Sequence, residues 1–270
     1  KNANKVSRSF QHMILLCGCL LIYYSVSARQ HKPTESGYIA QKTQGIDSDY
    51  VLIFNSYSES APWCRSLVDS TVMDLIKLSP QTMTVTQNLN SGLLRDEKAL
   101  AQLRQQVDVS YHDKPRMIIY IGSTSWPFLH ETIEKKWGKV PSIIFSDIDY
   151  TGPITNLLRK TPIAPALRIP YDKIVKEYEG ALSVVYMPIY LRQSLALMHQ
   201  LTPPMTELCF ISDTRWISAQ MRADMAAITK TDFPELKVRY LISADMSTLD
   251  LLDSLQHYGQ ETGVLFFSWL

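Results

Sequence analysis

Strand-like and helix-like segments alternate from Tyr50 to Trp269, and this alternation constrains the fold more than any other feature of the chain. Apolar or β-branched runs at 50–55, 82–89, 116–121 and 142–146 read as strands. Between them, 63–78, 96–108 and 125–137 carry helical periodicity. Parallel strands need a crossover connection, and a helix is the usual one. Successive βα units therefore predict a parallel sheet covered by helices and doubly wound through right-handed crossovers.

Regularity is lost over 153–178, where Pro153, Pro162, Pro165 and Pro170 fall. Proline fixes φ and removes a backbone donor, so the stretch reads as a connection with one short helix at 172–178. Alternation then resumes, with strands at 180–186, 207–212, 237–243 and 263–269. Helices are expected at 189–201, 218–229 and 247–258, Ser247 standing as N-cap ahead of Thr248. The expected fold class is α/β, with two doubly wound parallel-sheet lobes. The N-terminal lobe spans 50–152, the connection 153–178 and the C-terminal lobe 179–270. The run from Gly263 to Leu270 is apolar and aromatic to its end, so the second lobe is expected to be truncated.

The first 28 residues have another character. Lys1, Lys5 and Arg8 precede an apolar core from Met13 to Tyr24, and Val26-Ser27-Ala28 offers small residues for cleavage. That is the pattern of a secretory signal peptide. The core is shorter than the ~20 residues of a spanning helix, yet an uncleaved membrane anchor stays open. Residues 29–49 are polar and aperiodic, a linker. The chain beyond this linker is expected to be periplasmic, tethered to a bacterial inner membrane. Cys64 and Cys209 read as two buried free thiols, with a disulfide between them in an oxidising compartment as the alternative. A net charge of +1 gives no basic surface for nucleic acid. No cysteine or histidine spacing points to a metal site.

Two short motifs bear on chemistry. Asp147-Ile148-Asp149-Tyr150-Thr151, at a strand end, resembles the D-x-D-x-T motif of haloacid-dehalogenase-like phosphatases. There the first carboxylate attacks phosphorus. The later acidic pair of that family has no counterpart: the strand ends offer only Ala244-Asp245 and Ser268-Trp269, too few oxygens for magnesium. A phosphatase using Asp147 and Asp149 is thus a minor alternative to a solvated turn, which Asp suits. Ile121-Gly122-Ser123-Thr124-Ser125 is a small-residue loop before a helix. It suits either an anion cradle or a tight βα turn with its own N-cap.

One resemblance covers the chain from about Tyr50 to Leu270. Val51-Leu52-Ile53-Phe54-Asn55-Ser56-Tyr57, followed by Pro62-Trp63, resembles the opening of a type 1 periplasmic-binding-protein-like family. Its members are transporter substrate-binding proteins and extracytoplasmic sensor domains of bacterial membrane histidine kinases. Residues 115–122 resemble its P-D-strand-G element, and 140–146 its V-P-strand element. Residues 179–186 resemble the strand entering the second lobe, 190–203 a helix followed by L-x-P, and 208–213 a strand followed by Asp. The segment 263–269 resembles a late strand of the second lobe. Two departures stand out: Asp147-Ile148-Asp149 replaces a Gly- or Asn-containing turn, and Thr214-Arg215-Trp216 replaces a Gly-containing helix start.

The resemblance implies two lobes that close like a hinge on a ligand beyond the carboxyl ends of the strands. It brings Ser56, Tyr57, Trp63, Gly122, Ser123, Thr124, Ser146, Asp147, Tyr186, Asp213, Ser268 and Trp269 to the cleft. Tyr57 and Trp63 would stack on a planar or apolar ligand. Amides after Gly122 would hold a carboxylate, and Asp147 or Asp213 an amine.

The expected function is the ligand-sensing domain of a membrane-bound two-component sensor histidine kinase, hybrid kinases included. The alternative is a free periplasmic substrate-binding protein of an ABC-type transporter. In the sensor case the catalytic part lies beyond residue 270, and this segment has no catalytic residue, cofactor or metal. The expected partners are a small-molecule ligand between the lobes, the membrane through the N-terminus and a later helix, and a second copy in a homodimer. The ligand stays open among amino acids, purines, small peptides and oligosaccharides, or a partner protein in its place.

Overall fold

β1 (Tyr50–Asn55) is apolar along most of its length, and all six residues are buried. Such a strand needs cover on both faces and neighbours on both edges. In the computed structural model, which describes residues 50–59, 61–201 and 205–269, it has both. The targeting segment and linker expected over 1–49 lie outside the described residues.

β1 pairs in parallel with β2 (Met83–Asn88) on one edge and β3 (Met117–Ile121) on the other. Beyond β3 lies β4 (Ser142–Ser146). Side chains alternate across the sheet. Val51 and Ile53, with Ile119 and Ile121, pack among Cys64, Leu67, Val68 and Leu75 of α1 (Pro62–Leu78). Leu52, Phe54, Ile118 and Tyr120 face the other way. They share a cluster with Leu100, Leu103 and Val107 of α2 (Glu97–Ser110) and with Phe128, Leu129 and Ile133 of α3 (Ser125–Trp137). Each of Leu52, Ile53 and Phe54 is fully buried, worth about 1.5–3 kcal/mol apiece.

Local signals set the helix ends. Pro62 opens α1 where its missing N–H costs nothing. The Asp96 carboxylate accepts the Ala99 amide at 2.8 Å and caps α2. Gly138 ends α3 at φ 71°, a conformation that favours glycine.

The connection after β4 holds more structure than its prolines suggest. β5 (Tyr150–Thr151) and β6 (Ile169–Pro170) form a small antiparallel ribbon. Two helices accompany it, α4 (Ile154–Arg159) and α5 (Tyr171–Glu177). Pro153 is the N-cap of α4, and Pro170 that of α5. These prolines therefore start helices rather than forbid them.

β7 (Leu182–Tyr186) corrects the expected course of the chain, in which this strand opens the second lobe. It pairs in parallel with β4 over five residues, Ser142↔Leu182 to Ser146↔Tyr186, and closes the first sheet. The order is β2-β1-β3-β4-β7. Periodicity identifies a strand but not its partner, and the unpaired backbone edge of β4 takes this one.

The second sheet comes after α6 (Leu191–Leu201). It comprises β8 (Glu207–Ser212), β9 (Lys237–Ile242) and β10 (Thr262–Phe266), all parallel in the order β10-β8-β9. The first strand lies between the second and third, the same order as β3-β1-β2. Between the strands run α7 (Trp216–Asp232) and α8 (Thr248–Gln256). Ser247 and Asp250 cap α8 reciprocally, as the N-cap signal at Ser247 predicts. Leu208 and Phe210 join the cluster that lines β1 and β3, whereas Cys209 and Ile211 pack oppositely against Leu241 and Leu251. Cys64 and Cys209 are free, buried and in separate clusters. Among the described residues no helix is long and apolar enough to cross a membrane.

Candidate functional site

The carboxyl ends of β1, β3 and β4 converge on one polar group of side chains. Asn55 starts the turn after β1: its Nδ2 donates to Asn88 Oδ1 at 2.8 Å, and its Oδ1 accepts the Tyr57 amide at 3.2 Å. Ser56 is fully buried. Its Oγ accepts the amides of Thr124 at 3.3 Å and Ser125 at 2.8 Å, which are the first donors of α3. The expected anion cradle after Gly122 is thus already satisfied from within, by a hydroxyl of the neighbouring strand. Pro127 removes one more amide from the same helix turn.

Gly122 makes this approach possible. Its φ is +86°, and a Cβ there would lie 2.7 Å from Ser56 Cβ and 3.0 Å from Tyr57 Cε2. Only glycine fits both the backbone and the space. Beyond it, the Tyr57 hydroxyl donates to Asp147 Oδ2 at 2.6 Å, and Ser123 Oγ donates to the same oxygen at 3.2 Å. Asp149, two residues on, is exposed. The two carboxylates of the D-x-D motif therefore do not converge, and among the described residues no group of three His, Cys, Asp or Glu could hold a metal ion.

The second sheet brings Asp213 and Arg215. Asp213 directly follows β8 and is buried, and its Oδ1 accepts the Arg215 amide at 2.9 Å and Ser218 Oγ at 2.6 Å. Its Oδ2 accepts Arg215 Nε at 2.8 Å. Ser218 Oγ also meets Ser268 Oγ at 3.1 Å, tying the end of β10 into the group. Held this way, the Arg215 guanidinium lies over the Tyr57 ring, 4.8 Å from its centroid. The strand ends of the two sheets meet there.

Burial dominates the electrostatics. It pushes the Asp147 carboxyl above its ordinary range, although Tyr57, Arg215 and Ser123 all favour the charged form. It also drives the Tyr57 hydroxyl well above the usual phenol value, with the Asp147 charge adding to the effect. Burial opposes the Arg215 charge, but Tyr57, Asp213 and Asp147 more than offset it, and its pKa ends raised.

Among the described residues are two openings, of which the first lies at the junction. One is a niche of about 10 Å³ lined by Tyr57, Ser91, Thr124, Lys160, Arg215 and Trp216, among others. The other is a cavity of about 490 Å³, within the range of small-molecule sites. Its walls are the turn Ile148–Asp149–Tyr150, the segment 186–193 after β7, and Met221, Asp224, Ile228 and Thr231 of α7. Those α7 positions recur every three or four residues and so form one helix face. Arg168 crosses this cavity, donating to Asp224 at 2.7 Å and lying 4.6 Å from the Tyr150 ring centroid.

Of the residues expected at the cleft, Ser56, Tyr57, Gly122, Ser123, Thr124 and Asp147 are brought together, with Asp213 reaching them through Arg215 and Ser268 through Ser218. Ser146 is adjacent but accepts the Ile148 amide within its own turn at 3.3 Å. Three stand elsewhere. Trp63 packs on the α1 side of the first sheet, in the cluster of Val51 and Ile53. Tyr186 lines the larger cavity. Trp269 packs against the cluster of Cys209 and donates to Thr248 Oγ1 at 3.1 Å. Sequence reasoning missed Ser91, Lys160 and Arg215. For Arg215 the signal was present, a charged residue two positions after a strand-end Asp; Lys160 lies in the irregular connection and carried none.

Comparison of the chain with protein-family profiles, with curated proteins and with solved structures finds no match in any of the three.

Proposed function

We propose that this chain is the extracytoplasmic ligand-sensing domain of a membrane-bound sensor histidine kinase. Its two sheets act as the lobes of a type 1 periplasmic-binding-protein arrangement and close on a small molecule. The observation that carries this is the meeting of Tyr57, from the end of β1, with Arg215, next to the end of β8. In open parallel sheets the carboxyl strand ends are where ligands bind. Three strands of the first sheet share the order of the second, β3-β1-β2 against β10-β8-β9, and in this reading the ends that Tyr57 and Arg215 join give a ligand two surfaces to bridge. A ligand that touches both favours the closed arrangement by its differential affinity, and that difference is the signal.

The same closure serves a free substrate-binding protein, and the reading frame past Leu270 separates the two. A sensor requires a run of ~20 apolar residues followed by a kinase domain. A stop codon shortly after residue 270 rules the sensor out. Ligand binding itself is tested by thermal unfolding of the full chain against a small-molecule panel, since a ligand at 100 times its Kd stabilises by about 2.7 kcal/mol.

A further inference from the structure

Two cations from different parts of the chain face the niche beside Tyr57. Lys160 comes directly after α4 in left-handed backbone, φ 55°, and its Nζ donates to the Gly92 carbonyl at 2.7 Å, a neutral acceptor. Arg215 reaches the same niche from the second sheet, and its bond to Asp213 is made through Nε, leaving both Nη groups outside it. Ser91 and Thr124 supply hydroxyls on the wall, 2.8 Å from each other. The nearby carboxylates are already engaged: Asp213 by Arg215 and Ser218, Asp147 by Tyr57 and Ser123. Burial, and the charge of Arg95 nearby, hold the Lys160 pKa below that of an ordinary lysine, with Asp213 pulling partly back. Like charges gathered in a half-buried place are relieved by a counter-charge.

We propose that the ligand of this junction is a small organic anion whose charged oxygens sit between Lys160 and Arg215. The inference rests on the ligand-binding reading above. An anion there bridges the two sheets, because Lys160 stands on the first side and Arg215 on the second. Ser91 Oγ accepts from Thr124 Oγ1 and keeps its own proton to donate to a carboxylate or phosphate oxygen. The niche, about 10 Å³ in this conformation, holds an atom the size of one water. The anionic group takes its place as Lys160 Nζ swings from the Gly92 carbonyl.

The test is calorimetric binding of succinate, citrate, inorganic phosphate, glycerol 3-phosphate, glucose and putrescine to the full chain. Anions are expected to bind, more weakly as sodium chloride is raised. Lys160→Met should weaken binding about ten- to hundred-fold, and Lys160→Arg should retain most of it. Arg215→Gln should act like Lys160→Met; if it does not fold, Lys160→Met decides alone, because among the described residues the Lys160 side chain bonds no group but the Gly92 carbonyl. Binding of glucose or putrescine alone, or anion binding unchanged by Lys160→Met, overturns the anion proposal and leaves the ligand-binding reading standing. Binding of none of the six overturns the proposal for these anion classes, and a wider panel with no binder then removes the ligand-binding reading as well.

Discussion

Arg215 lies over the ring of Tyr57, and Asp147 accepts the Tyr57 hydroxyl at 2.6 Å, so one tyrosine serves as the meeting point of the two sheets. The ring contact and the hydroxyl contact can be separated by mutation. Tyr57→Phe keeps the ring and leaves buried Asp147 short of a donor, at a cost of about 1–3 kcal/mol. Tyr57→Leu with Arg215→Met completes a double-mutant cycle for the ring contact. Its coupling should be about 0.5–2 kcal/mol by urea denaturation. A coupling of zero would mean that the guanidinium rests on the ring without holding the sheets.

Gly122→Ala tests the close approach beneath that meeting point. The new methyl would lie 2.7 Å from Ser56 Cβ and Oγ, at a φ of +86°. Neither the backbone nor the neighbour can yield cheaply, because Ser56 Oγ caps α3. The expected loss is about 2–5 kcal/mol. Loss of well under 1 kcal/mol would show that the β1 turn is free to move away.

Much of the fold was legible because both signals behind it are local. β1, β3 and β8 are short apolar runs, and Ser247 with Asp250 is a capping pair visible in four residues. Ser56, Tyr57, Ser123 and Asp147 were legible for a related reason: strand ends converge in any parallel sheet. Partner choice was not legible. Leu182 to Tyr186 looks alike whether it opens a sheet or closes one, and only the free edge of β4 decides. Lys160 was hidden for the same reason, since its approach to Gly92 spans 68 residues of sequence. Trp63 and Trp269 lie apart from that group. An aromatic near a strand end suggests a ligand contact, yet each fills the space between a sheet and its covering helices.

The charge on Asp147 makes stability depend on pH in a stated direction. Burial raises its folded pKa above the ordinary value of 3.8. The folded chain then holds the proton more tightly than the unfolded one. The resulting stability is fully present below about pH 3.9 and is lost as pH rises through the folded pKa. Asp147→Asn keeps an acceptor oxygen for Tyr57 and carries no charge. Relative to the parent it should therefore gain stability between pH 3.5 and pH 7. Urea titrations at both pH values measure this, and a gain of the opposite sign would mean that Arg215 outweighs burial.

Cys64 offers a way to watch the junction open. It is 1% exposed, and burial first, then the Asp147 charge, pushes its thiol well above the usual range, with Arg215 opposing. A buried thiol of raised pKa reacts only when its surroundings open. Cys209 is 0% exposed and lies in the separate cluster of the second sheet, so it serves as an internal reference. With Cys17 and Cys19 changed to serine, alkylation of these two thiols can be followed by mass spectrometry. Arg215→Met should speed Cys64 about ten-fold if the ring contact contributes about 1.4 kcal/mol to local closure, with Cys209 nearly unchanged. Equal acceleration of both would mean that loss of Arg215 weakens the whole fold, and that Tyr57 and Arg215 form no separate opening unit.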